Sequence, residues 1–148
     1  MATPSYTTIV NSVITRLQED TRLSAIPDGS IYFGLQPNIP TFPAITVELV
    51  EGIDEWRTYP TNKDIISRIT ITVMERSMQS YAAGLQAVEG YVQIIDDVLH
   101  TDPKVSGTFY NSEVVSRRLG PGTYNDIPIF VCEMEFQGMT RYSSRSVS

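Results

Sequence analysis

The stretch "DIISRITITVMER", Asp64 to Arg76, decides the fold. Ile69, Ile71 and Val73 fall on one side of it, and Arg68, Thr70 and Thr72 on the other. A period of two marks a β-strand, because successive side chains leave opposite faces of the pleat. Its thirteen residues reach roughly 40 Å at ~3.3 Å per residue, long for a small domain.

Working toward the N-terminus, "AITVELV" (44–50) is a second strand. Between the two lies "VEGIDEWRTYPTNKD", Val50 to Asp64, with the only tryptophan of the chain. Glu51, Asp54 and Glu55 precede Trp56, and Arg57, Tyr59 and Pro60 follow it. The stretch reads as a long polar connection, and long loops in compact domains are usually functional or mobile. Two accounts fit Trp56. It folds back over the sheet edge with its indole N–H on a local carbonyl, or it projects with Arg57 and Tyr59 onto a neighbouring subunit. Trp, Tyr and Arg dominate interface energetics.

Further back, Pro37, Pro40 and Pro43 exclude "GLQPNIPTFP" from helix and strand. "SIYF" is a short strand, preceded by a turn at Pro27-Asp28-Gly29. Thr3-Pro4 predicts a capped helix start, and the helix runs to about Asp20. Tyr6, Ile9, Val10, Val13, Ile14 and Leu17 share its apolar face.

Toward the C-terminus, a second helix is predicted from Ser80 to Leu99, stopped by Asp102-Pro103. Leu85, Val88, Val92, Ile95 and Leu99 form one apolar stripe, and Ala87, Tyr91, Ile94 and Val98 a second beside it. A helix on one sheet needs an apolar arc of only ~100° or a little more. The extra width means deeper burial or a subunit contact through Tyr91, Ile94 and Val98. The strands "TFYNSEVVSRRL" and "DIPIFVCEMEFQ" follow, joined by "GPGTYN" as a hairpin connection. Phe130, Cys132, Met134 and Phe136 share one face of the last strand.

The expected fold is α+β, in the order α-β-β-β-α-β-β. A mainly antiparallel sheet of about five strands carries two helices on one face. The expected domain is 1–138. Residues 139–148 form a polar, Ser-rich, flexible tail whose Arg141 and Arg145 are partner contacts.

The chain has 148 residues and a formal charge of −6. That acidity, without a concentrated basic face, argues against gripping duplex DNA. No apolar run is long enough to span a membrane. One cysteine, Cys132, excludes a disulfide framework within the chain, and one histidine, His100, excludes a multi-histidine metal site. There is no phosphate-cradling glycine motif and no nucleophile elbow. Cys132 sits in an apolar strand face and His100 on the polar side of a helix end, so they read as packing and as a dipole partner. Glu133 and Glu135 read as solvated carboxylates on an edge strand. Glu48, Glu51, Asp54 and Glu55 lack the Ca²⁺-loop pattern. The sequence therefore predicts no catalytic, cofactor or metal residue and no enzyme; its long strands, wide helix and Trp-bearing loop point to assembly.

Several of these features together resemble the tail terminator (tail completion) proteins of long-tailed bacteriophages. They are the Asp-Gly turn before "SIYF", the Pro-rich stretch ending in Phe42-Pro43, and the strand from Ala44 to Leu49. The alternating strand ending in Glu75-Arg76 before a helix, and the final hairpin, also match. The resemblance covers about residues 5 to 137 and rests on apolar and turn patterns. It implies a homo-hexameric ring on the head-proximal end of the tail tube, made in the host bacterial cytoplasm and resident in the virion. Such a ring stops tube polymerisation and docks the neck and head-completion proteins. DNA passes through it without specific binding, and a sheath protein is a further partner if the tail is contractile. The implied interface draws on Trp56, Arg57, Tyr59, Tyr91, Ile94 and Val98. The alternatives are another neck protein, such as a connector, or a small ligand-binding or enzymatic domain.

Overall fold

The computed structural model describes residues 5–23, 26, 30–58, 62–76, 80–105 and 107–143. Helix α1 spans Tyr6–Gln18, followed by one 3-10 turn, Thr21–Leu23. Strands β1 (Ile31–Phe33), β2 (Ala44–Thr58) and β3 (Asn62–Arg76) come next. Helix α2 is Tyr81–Thr101, and β4 (Asn111–Tyr124) and β5 (Ile127–Ser143) complete the chain. This is the expected α+β order. The five strands lie as β1-β2-β3-β5-β4, with β1 parallel to β2 and every other pair antiparallel.

Both helices lie on one face of the sheet. The α1 residues Ile9, Val10, Val13 and Leu17 meet Ile45 and Val47 of β2. Val88, Val92, Ile95, Val98 and Leu99 of α2 meet Ile69, Ile71, Val73, Cys132, Met134 and Phe136. Fully burying such a side chain is worth about 1.5–3 kcal/mol relative to leaving it in water. This layer is therefore the main source of stability. Gly84 lets α2 approach β5: a Cβ there would lie 2.7 Å from the Phe130 ring.

Five details correct the sequence expectations. Ser5, not Thr3, caps α1, its hydroxyl accepting from the Thr8 N–H at 3.4 Å. The connection around Trp56 is not a long loop: β2 continues to Thr58 and β3 begins at Asn62, with Trp56 opposite Lys63. The residue types there are polar, but a ladder of backbone bonds does not require apolar side chains. The hairpin turn of β4 and β5 is Asn125-Asp126, with φ of 47° and 67°. Both residues sit in the left-handed region that a two-residue turn needs. Gly120, Pro121 and Gly122 belong to β4, an edge strand, where a proline is tolerated. β5 also runs through the first half of the expected tail, Met139 to Ser143 pairing with Ile66 to Asn62; Ser144 to Ser148 lie outside the described residues. Finally, β5 lies between β3 and β4, so Glu133 and Glu135 are not on an edge.

The Pro-rich segment 34–43 has its own place. It crosses the helix-free face at the start of β2, where Ile39 and Phe42 pack with Ala44, Met74 and Ile129. Tyr124 donates its hydroxyl to the Gln36 carbonyl, and Asn125 donates from Nδ2 to the Pro37 carbonyl at 3.0 Å. At the other end of the helical layer, Gly52, Ser67, Gly138 and Ser112 form one row across four strands. A Cβ at Gly52 would run into the Tyr6 ring, and one at Gly138 into the Phe109 ring. Small residues there let two aromatic rings close the core. Beyond this row, β2, β3 and β5 continue as a three-stranded arm.

Candidate interface surfaces

Among the described residues no three His, Cys, Asp or Glu side chains gather as a metal site. No described helix is long and apolar enough to cross a membrane. Cys132 is fully buried, and burial pushes its thiol up to about 11. The nucleophilic thiolate is therefore suppressed near neutrality. His100 is exposed in the last turn of α2. It borders an open cleft of about 780 Å³ between α2 and β4, which Asp96 and Arg117 also line. Arg117 donates to both Asp96 oxygens at 2.6 Å, so its guanidinium is committed to that carboxylate. Glu135 is likewise engaged, accepting from Arg68 and from Ser116.

The arm carries the tryptophan. Trp56 is 46% exposed on β2, and Lys63 Nζ lies 5.1 Å from its ring centroid. Lys63 also donates to Asp54 at 3.0 Å, which ties the tip of β3 to β2. On the opposite face Arg141 of β5 donates to Asp64 of β3 at 3.1 Å and stacks over the Tyr110 ring at 4.8 Å. Asp64 and then Tyr110 raise the Arg141 pKa, so the guanidinium stays charged. Arg68 bridges Glu135 and Glu51, linking β5, β3 and β2. The arm thus brings Trp56 and Arg141 into neighbouring rows on opposite faces. The Arg57 side chain, Tyr59 and Arg145 lie outside the described residues.

The flank of α2 divides. Val98 is fully buried in the core and is not part of an outer surface. Tyr91 and Ile94 are half-buried against that core. Burial, with Glu75 adding its charge, raises the Tyr91 phenol pKa. The doubled apolar stripe is therefore satisfied largely by depth of packing: α2 sits over three strands at once, β3, β4 and β5.

Sequence reasoning did not foresee three breaks in register. Two interrupt the β2–β3 ladder, between Leu49 and Glu51 and between Trp56 and Thr58, and one the β4–β5 ladder, between Val114 and Ser116. The first and the last leave an exposed valine, Val50 and Val115. A bulge has no fixed residue signature, and only the partner strand's register reveals it.

No protein-family model matches the sequence, and no curated protein matches it significantly. Among solved structures, the chain is similar to one from the virion of a native gene transfer agent particle. The TM-score is 0.66 at 12% identity, covering 92% of this chain and 100% of that one. At that identity the likeness speaks for a shared fold, end to end in both chains.

Proposed function

We propose that this chain is a tail terminator of a phage-like particle. Six copies form a ring on the head-proximal end of the tail tube, halt its growth, and present the surface on which the neck docks. The observation that carries this reading is the fold likeness to a virion component over nearly the whole of both chains. The surface agrees with it, because aromatic and charged side chains are exposed on the arm. A chain of charge −6 also suits a channel through which DNA slides without sticking. Its partners in this reading are the tube protein below and a neck protein above, with a sheath protein beside them if the tail contracts.

The experiment is removal. Particles assembled without the chain should carry tubes of uncontrolled length and unattached heads, and adding it back should restore both. Rings at the head-proximal end should then be visible by electron microscopy. Tubes of normal length already joined to heads would overturn the proposal. The fold likeness also fits a neck connector, since it concerns a virion and not a position within it. Tubes of normal length that fail to join heads would favour that second role.

A further inference from the structure

The sheet ends in two unlike free edges. On one side, β1 pairs only with Ile45, Thr46 and Val47, so β2 from Glu48 to Thr58 has no strand beside it among the described residues. On the other side lies β4, Asn111–Tyr124, with no strand outside it among the described residues. Both are long and mostly exposed. Long exposed edges are templates for pairing with another chain, and natural proteins guard them with charge, proline and bulges.

The guards here differ in sign. The described side chains of the β2 edge include Glu48, Glu51, Asp54 and Glu55, while β4 carries Arg117 and Arg118 at its middle and Glu113 near its start. Arg68 and Lys63 neutralise Glu51 and Asp54, and Asp96 neutralises Arg117. Glu48, Glu55 and Arg118 make no ion pair among the described residues. These three also share a face. Arg118 stands opposite Glu133, and Glu133 opposite Thr72; Glu48 stands opposite Thr70, and Glu55 opposite Asp64. Directly paired residues project to the same side, so all three lie on the helix-free face.

We infer that the β4 edge of one copy pairs with the distal β2 edge of the next, Arg118 meeting Glu55, a register that keeps β4 clear of β1 and carries Glu113 past the end of β2. The acidic β2 edge repels its own kind, which disfavours a symmetric β2–β2 dimer. Arg118 and Glu55 attract each other, which favours a heterologous, head-to-tail contact that closes into rings when the rotation allows. Strand direction agrees. Following the sheet from β2 through β3 and β5, β4 runs antiparallel to β2. A rotation about an axis along the strands preserves direction, so β4 meets the next β2 as an antiparallel pair. β1 blocks the stretch beside Ile45 to Val47, so the incoming strand is staggered toward Thr58, as tilted strands in a closed sheet are. The inference rests on the ring proposed above and names its interface.

The test is charge exchange in the full chain, read by sedimentation and electron microscopy. Arg118→Glu, and separately Glu55→Lys, should each weaken self-association about tenfold or more, because like charges are then juxtaposed. The double variant carrying both changes should recover it. Thermal unfolding should stay near that of the parent, since Arg118 and Glu55 are exposed. Rings that form equally well in the one-sided variants, or a double variant that does not recover, would overturn edge pairing and leave the ring standing. Recovery into open chains without rings would uphold edge pairing and overturn the ring. A parent that never self-associates, with or without isolated tubes, would overturn both.

Discussion

The two halves of β3 share one strand and one alternation, yet different forces hold them. From Ile69 to Val73 every second side chain is sealed beneath α1 and α2. Beyond the row Gly52, Ser67, Gly138 and Ser112, the same strand continues between β2 and β5 as an arm pinned by ion pairs, Lys63 to Asp54 and Arg141 to Asp64. Burial of apolar area gives the first half its stability. The second half buries Ile65 but little other apolar area, and its half-exposed ion pairs, with Asp54 and Arg141 open to water, add only about 1 kcal/mol each. A region so weakly held to its own subunit is suited to be completed by another.

The contrast is broken most severely in the covered half. Phe136 is fully buried and meets Phe109 edge to face at a centroid distance of 6.0 Å. Phe136→Ala should cost about 3–5 kcal/mol of unfolding free energy, read by urea denaturation. A loss below 1 kcal/mol would mean that the helical layer is not where stability resides.

Trp56→Ala sharpens the contrast from the other side. Monomer stability should fall by less than about 1 kcal/mol, the size of an exposed cation–π contact. Association should weaken by about 2 kcal/mol or more, the size of a hot spot. Normal assembly of a destabilised monomer would make the tryptophan a lid over its own sheet.

The boundary row can be probed with glycines. Gly138→Ala drives a methyl into the Phe109 ring and should cost about 1–3 kcal/mol, as overpacking does. Gly120→Ala, where nothing lies within 4 Å, should stay within about 0.5 kcal/mol. Equal effects would show that the row is no boundary.

The smallest change belongs to the arm. Arg141→Gln should lower stability by about 1 kcal/mol, and the difference should shrink in part in high salt, because Arg141 is exposed while Asp64 is buried. A larger effect that persists in salt would make the arm part of the core.

The α+β order, both helices and the core faces of β3 and β5 were legible because each depends on period. Ile69, Ile71 and Val73 alternate, and Val88, Val92, Ile95 and Leu99 recur at helical spacing, whatever packs on them. The candidate interface was less legible. Trp56 was visible as an odd residue, but its place on a strand was not, since polar side chains conceal a ladder built from backbone groups. The Asn125-Asp126 turn was available as a two-residue signal and was masked by the glycines just before it. Val98 could not be told from Tyr91 and Ile94 by spacing, because all three lie on one stripe and only the partner layer decides depth.

By itself the sequence determined which segments are helix and strand and which of their faces are apolar, since those follow from local geometry and from the preference of apolar side chains to leave water. Only the tertiary structure decided the strand order, the three breaks in register, the row of small residues under Tyr6 and Phe109, and which charges stand on the two free edges. Each of these joins residues far apart in the chain. Gly52, Ser67, Gly138 and Ser112 become neighbours only when four strands pair in one register, and no local preference encodes that meeting.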